Sequence, residues 1–240
     1  GDVLRLAFLA QRFASSFDRD VMRQLGEALV QKCQAENVAM LLGPGINIKR
    51  SPLCGRNFEY YSEDPLLTGL CAAAITKGVQ SHGGCGVTLK HFAGNNQEFQ
   101  RNKASSNVSE RALREIYLRP FKKAIREGGA KAVMTSYNPV NGLYNVENRS
   151  LLEDYLRWEC GFDGVVMTDW VVTGITNKKS LYPVANAGRA AAAGSDLFMP
   201  GSKADAKEIR KALREGRLTT GQLRKNVNHV IRKIRELRGA

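Results

Sequence analysis

The sequence predicts a single α/β domain over residues 1–240 in which helices alternate with parallel strands, forming a (β/α) barrel of six to eight strands, closed or open. Three observations predict it. Helical and strand-like segments alternate along the chain with no Pro/Ser-rich or low-complexity linker between them. Polar and charged residues collect just after each short apolar run, a placement that core packing does not require. Composition is that of a folded globular chain, with 43% hydrophobic and 25% charged residues in 240.

In chain order, Val21, Leu25, Ala28, Leu29 and Cys33 recur at helical spacing and predict a helix over 18–34. The run VAMLLGPG that follows Asn37 is its exit into a strand. Residues 63–79 read as a second helix, for which Ser62 or Asp64 can serve as cap with Pro65 in the first turn, and 86–92 as a strand. A third helix over 109–127 stops at Gly128 and Gly129 before a strand at 132–137. A short helix at 151–159 precedes the strand of Val165, Val166 and Met167, and a helix at 183–193 precedes a strand at 195–199. Two helices close the chain. Thr219 followed by Gln222 is a capping-box signature, and Leu223, Val227, Val230, Ile231 and Ile234 are the predicted buried stripe of the last helix. Five strands are clear, and residues 4–9 are a candidate sixth.

The net charge of +13, from 36 Lys and Arg against 23 Asp and Glu, favours polyanions in general. Much of the excess falls on the helices of 207–238, beside an apolar stripe, and the aromatic interleaving of a single-strand binder is missing. A solvated helical face is the expectation, and specific nucleic-acid binding is not expected. Cys33, Cys54, Cys71, Cys85 and Cys160 are widely spread without a CxxC pair, so buried free thiols are expected rather than a metal site. No apolar run approaches the roughly 20 residues that cross a bilayer, and GDVLRLAFLAQRF lacks the apolar core and cleavage site of a signal peptide. No membrane contact and a cytoplasmic location are therefore expected.

The densest chemistry follows the strands. The run from Gly161 to Trp170 places Asp169 and Trp170 at the tip of an apolar strand. A carboxylate there either caps the next turn or works on a ligand bound at the strand's C-terminal end. After the first strand come Asn47 and then Arg56, Asn57, Glu59, Tyr60 and Tyr61. After the second come Lys90, His91, Asn95, Asn96, Glu98 and Arg101, and after the third Tyr137 and Asn138. Sugars need closely spaced donors and acceptors together with flat apolar faces, and this inventory supplies both. No GxxxxGKS or GxGxxG loop follows any predicted strand, which argues against nucleotide enzymes.

The motifs RSPLCGRNFEYYSEDP, KHFAGNNQEFQRN, VMTSYNPVNG and GFDGVVMTDW, in that order, resemble the TIM-barrel-like N-terminal domain of glycoside hydrolase family 3, which includes β-glucosidases and β-xylosidases. The resemblance covers roughly residues 12–240. It implies a retaining hydrolase that removes a non-reducing-end sugar from a β-glucoside or oligosaccharide through a glycosyl-enzyme intermediate on Asp169. Arg56, Lys90, His91 and Arg101 would bind sugar hydroxyls, Tyr137 would orient the nucleophile, and Trp170 would wall the subsite. Nearby cations would hold Asp169 ionised. No cofactor is implied, because carboxylate chemistry on acetals needs none.

Two parts of the family pattern are not found. In two-domain members the general acid is a Glu on a following α/β sandwich domain. In the N-acetylglucosaminidase branch it comes from a loop resembling KHFPGHG, where this sequence has KHFAGNN. An early Asp-Gly-Pro segment is also missing. The expectations are a trimmed, reconstructed or engineered barrel, impaired because acid assistance contributes about 10² to 10⁴ in rate. Self-association through surface left bare by the sandwich domain is expected as well. A catalytically silent barrel scaffold or weak sugar-binding module is the alternative.

Overall fold

A computed structural model describes residues 10–174 and 182–239. The predicted strand at 4–9 lies outside them. A short helix α1 (Ala10–Ala14) leads to α2 (Arg19–Ala35), and the repeating unit then begins with β1 (Met40–Leu41), α3 (Pro65–Val79) and β2 (Gly86–Phe92). Helix α4 (Arg119–Gly128) precedes β3 (Ala132–Thr135), and a hairpin of β4 (Pro139–Val140) and β5 (Leu143–Tyr144) follows. A π-type helix, Ser150–Glu159, then leads to β6 (Val165–Trp170), α5 (Ala187–Ala193) and β7 (Leu197–Met199), before α6 (Lys203–Arg214) and α7 (Thr220–Arg238).

The five strands β1-β2-β3-β6-β7 form one sheet in that order, and every pairing in it is parallel. Among the described residues this is an open half-barrel with helices around it, the incomplete form of the predicted architecture. Strand period sorts the side chains. Val133 and Val166 face a large outer core with Val30, Val79, Phe121 and Leu156. Ala132, Met134, Val165 and Met167 face inward with Met40, Met199 and Val230. Phe92 packs edge-on against Phe121 with ring centroids 5.0 Å apart.

The caps at Asp64 and Thr219 match the sequence reading, and Asp18 is a third. Asp18 accepts hydrogen bonds from the N–H groups of Asp20 and Val21, Asp64 from Leu66, and Thr219 from Gln222. Helices α2 and α3 cross where two glycines meet. A Cβ on Gly26 would lie 2.4 Å from the Ile75 carbonyl oxygen, and one on Gly78 would lie 2.1 Å from that of Arg23.

Two expectations change. The helix predicted over 109–127 is broken into Glu110–Ala112, a π-helical turn Leu113–Tyr117, and α4, which carries Pro120 in its first turn. The predicted stripe of α7 is not its buried face. Val227, Ile231 and Ile234 are exposed, and Leu223 and Val230 are half-buried. Asn226, His229 and Lys233 turn inward instead. Their partners explain the rotation. Asn226 donates to the carbonyls of Ala191 and Ser195, His229 Nδ1 meets Asp196 at 2.9 Å, and Lys233 reaches Asp163 and Glu236.

That same Asp196 has no solvent exposure at its side chain. It accepts from Arg157 Nη2 at 2.7 Å and from the backbone N–H of Val166 at 2.7 Å. One carboxylate thus joins the Ser150–Glu159 helix, β6, β7 and α7.

Candidate active site

The C-terminal ends of β2 and β6 carry the site, and the sheet is irregular at both. Register shifts occur between Lys90 and Phe92 and between Met167 and Trp170. Such irregularities re-aim side chains at a strand end. Past β6, Val171 sits at φ +60°, an outlier for a β-branched residue, with its N–H bonded to the Met199 carbonyl at 2.8 Å. The chain therefore leaves Asp169 and Trp170 abruptly.

Asp169 is buried at 5% exposure. Its Oδ1 accepts from the N–H of Trp170 at 2.7 Å, whereas Oδ2 has no hydrogen-bond partner. The latter lies 3.8 Å from Nε2 of His91. Burial pushes the Asp169 carboxyl above the usual carboxylate range. The Trp170 N–H and the charges of Arg56, Arg101 and Lys90 oppose that shift without cancelling it. The cations act in the direction expected from the sequence, and burial adds an opposing effect that the sequence reading did not include. His91 is held neutral, because burial and then the same three cations push its imidazole well below its ordinary range.

Around this carboxylate the structure brings together the other predicted residues. Lys90 Nζ binds Glu59 at 3.0 Å, and Arg56 binds the other oxygen of that carboxylate. Arg101 pairs with Glu98 and stacks over the Tyr137 ring with its guanidinium carbon 4.2 Å from the centroid. The Tyr137 hydroxyl donates to the Trp170 carbonyl at 2.7 Å, which ties it to the backbone beside Asp169. Burial, then the charge of Asp169, push that phenol up to about 12. Trp170 is 49% exposed and offers an open indole face.

Several supporting residues stood among the polar groups read after the strands but were given no role there. Glu59 and Glu98 fix the three cations, and the signal was local, since Arg56/Glu59 and Glu98/Arg101 are each three residues apart. Asn47 clamps the end of β2, its side chain bonding both the N–H and the carbonyl of His91 at 2.9 Å. Tyr60 places its hydroxyl 3.3 Å from His91 Nδ1. The cysteines are all free and buried, and burial raises the Cys85 thiol to about 12, which leaves it unreactive.

A parallel (β/α) half-barrel with a buried carboxylate, a half-exposed indole and three anchored cations at its strand ends has the architecture of a TIM-barrel-type domain with its polar site on the C-terminal face. Its sequence places it further. Residues 7–233 match the family described as Glycosyl hydrolase family 3 N terminal domain, and the chain belongs to that family. It is 46% identical over 226 residues to Thermostable beta-glucosidase B of Acetivibrio thermocellus, covering 94% of this chain and 28% of that protein. It is 42% identical over 231 residues to the Exo-alpha-(1->6)-L-arabinopyranosidase of Bifidobacterium breve, covering 96% of this chain and 29% of that one. Among solved structures, beta-glucosidase 3B from Thermotoga neapolitana in complex with glucose superposes with a TM-score of 0.87 at 40% identity, over 96% of this chain and 32% of that one. The chain thus spans less than a third of the length of these relatives. No helix among the described residues is long and apolar enough to cross a membrane.

Proposed function

We propose that this chain carries the nucleophile half of a retaining β-glucosidase-type site. The observation that carries the reading is the unpartnered Oδ2 of Asp169, buried at the C-terminal end of a parallel strand. In the first step that oxygen attacks the anomeric carbon as the bond to the leaving-group oxygen breaks. The departing oxygen takes the bonding electrons and a proton from a general acid, and water then cleaves the glycosyl ester. Arg56, Lys90 and Arg101, each anchored on a carboxylate, and neutral His91 bind sugar hydroxyls, and Trp170 packs against the ring. Tyr137 holds the backbone that aims Asp169.

A second carboxyl group at about 5 to 5.5 Å from the nucleophile is the usual acid of a retaining enzyme. Among the described residues, the ionisable groups that act on Asp169 are a neutral imidazole, three cations and a phenol, and Glu59 and Glu98 are each paired to those cations. Substrates with activated leaving groups, which need no proton, are therefore the ones we assign to this chain. Location in the cytoplasm fits five free, buried thiols, which reducing compartments preserve. Self-association through the exposed apolar residues of α7 completes the reading, and a monomer at high concentration in sedimentation would remove it.

The test is intact-mass spectrometry after incubation with a 2-deoxy-2-fluoro-glucoside bearing a dinitrophenyl leaving group. The expected result is one glycosyl adduct on the native chain and none on Asp169→Asn. No adduct on folded protein, or an adduct that persists in the variant, overturns the proposal.

A further inference from the structure

His91 turns one ring nitrogen to each of two neighbours. Nε2 lies 3.8 Å from the unpartnered Oδ2 of Asp169, and Nδ1 lies 3.3 Å from the hydroxyl of Tyr60. The residue is 1% exposed and burial holds its imidazole neutral, so the ring carries a single proton, on one nitrogen or the other. Which nitrogen carries it decides whether His91 offers the site a donor or a lone pair.

The surroundings of Tyr60 decide it. Its ring meets the imidazole edge-on, with centroids 6.3 Å apart, and is fully buried. Asn95 Nδ2 donates to the hydroxyl oxygen at 3.3 Å. The same nitrogen donates to Glu98 Oε1 at 3.3 Å, and that carboxylate fixes which end of the amide turns this way, because the flipped amide would set two acceptors against each other. The hydroxyl thus accepts from Asn95 and has one proton of its own to place. The Asn95 carbonyl lies at 3.5 Å, the limit of a hydrogen bond, and His91 Nδ1 is nearer at 3.3 Å. Burial pushes the phenol above its ordinary range, so it keeps that proton. On the far side of the imidazole, a lone pair on Nε2 would face the carboxylate of Asp169, whereas an N–H is attracted to it. Both sides of the ring therefore select the same tautomer. Asn47, bonded to the N–H and the carbonyl of His91, holds the backbone that carries the ring.

We propose that Tyr60 is a positioning residue, which donates its hydroxyl proton to His91 Nδ1 and so locks the imidazole with its own proton on Nε2, facing Asp169. A sugar hydroxyl that meets Nε2 is then an acceptor. That consequence for the sugar rests on the glycosidase reading of Asp169, whereas the tautomer does not.

The test is long-range proton-nitrogen correlation NMR of the native chain, which reads each ring nitrogen of its three histidines as protonated, free or hydrogen-bonded, with His91 assigned through its backbone. The expected result is a protonated Nε2 and an unprotonated, hydrogen-bonded Nδ1. A proton on Nδ1, or an Nδ1 without a hydrogen bond, overturns the proposal on the native chain alone. In Tyr60→Phe, which removes only the hydroxyl, the His91 signals are expected to move toward a mixture of both tautomers. Fluoroglucosyl adduct formation should slow roughly two- to tenfold, the worth of one neutral hydrogen bond. A folded variant that keeps the native tautomer, whatever its rate, overturns the role of Tyr60, since a loss of packing alone would not move the ring proton. The native tautomer on a folded chain that forms no adduct removes the glycosidase reading and leaves the role of Tyr60 standing.

Discussion

Replacing Asp196 by alanine tests what holds the site-bearing strand in place. Its carboxylate accepts from Arg157, from His229 and from the N–H of Val166, and it has no contact with water. The substitution leaves the Arg157 guanidinium, itself only 7% exposed, without its counter-charge. Removing one member of a buried ion pair costs about 3 to 5 kcal/mol, out of a total stability of about 5 to 15 kcal/mol. For a domain of this size each kcal/mol moves the melting temperature by about 2 to 4 °C, so a fall of roughly 6 to 20 °C is expected. The assay is urea and thermal unfolding followed by circular dichroism, with Arg157→Met and the double variant completing a cycle. The double variant should regain part of the loss, because it no longer buries an unpaired cation. A loss below about 1 kcal/mol for Asp196→Ala, the scale of one ordinary hydrogen bond, would refute the clamp.

Four further outcomes are expected. Gly26→Ala and Gly78→Ala each push a methyl group into the facing backbone at the α2–α3 crossing, so each should destabilise by about 1 to 3 kcal/mol or more in urea titration. Ile231→Glu alters an exposed side chain of α7 and should shift stability by less than about 0.5 kcal/mol; a multi-kcal/mol loss would restore the buried stripe. Because Asp169 is raised in the folded state, its carboxyl favours folding below the usual carboxylate range, and that contribution is lost as pH rises through the raised value. Asp169→Asn should therefore melt above the native chain at pH 7, with the gap closing toward pH 3. Adduct formation on the native chain should likewise rise with pH through a midpoint above the ordinary carboxylate value.

Much of the architecture was legible because it is locally encoded. The apolar run of β2 was bounded correctly at both ends, and Asp64 and Thr219 announced their helices by side chains that cap nearby N–H groups. The site residues were legible for the same reason, since Lys90 and His91 end one strand and Asp169 and Trp170 another. What escaped was non-local. The spacing of Val227, Ile231 and Ile234 reports that an apolar face exists, but nothing in it says which neighbours lie opposite. Arg157, Asp196 and His229 are spread over more than seventy positions, and only the fold makes them one cluster. The ionisation of Asp169 escaped because cations can be counted in a sequence, whereas the burial that outweighs them cannot. The β4–β5 hairpin was overlooked despite a local sign, the Asn141-Gly142 pair with both residues at positive φ.

The inward ridge of α7 gives its docking a compass bearing. Greasy contacts tolerate a few tens of degrees of roll, whereas the amide of Asn226, the imidazole of His229 and the ammonium of Lys233 each point at a fixed target. Two of those targets, Asp163 and Asp196, precede and flank the strand that carries Asp169. Lys131 and Lys233 hold Glu236 below the usual carboxylate range, so that part of the grip weakens as pH falls. The last helix is thus joined to the barrel along an acid-labile seam, with its oily side left facing outward.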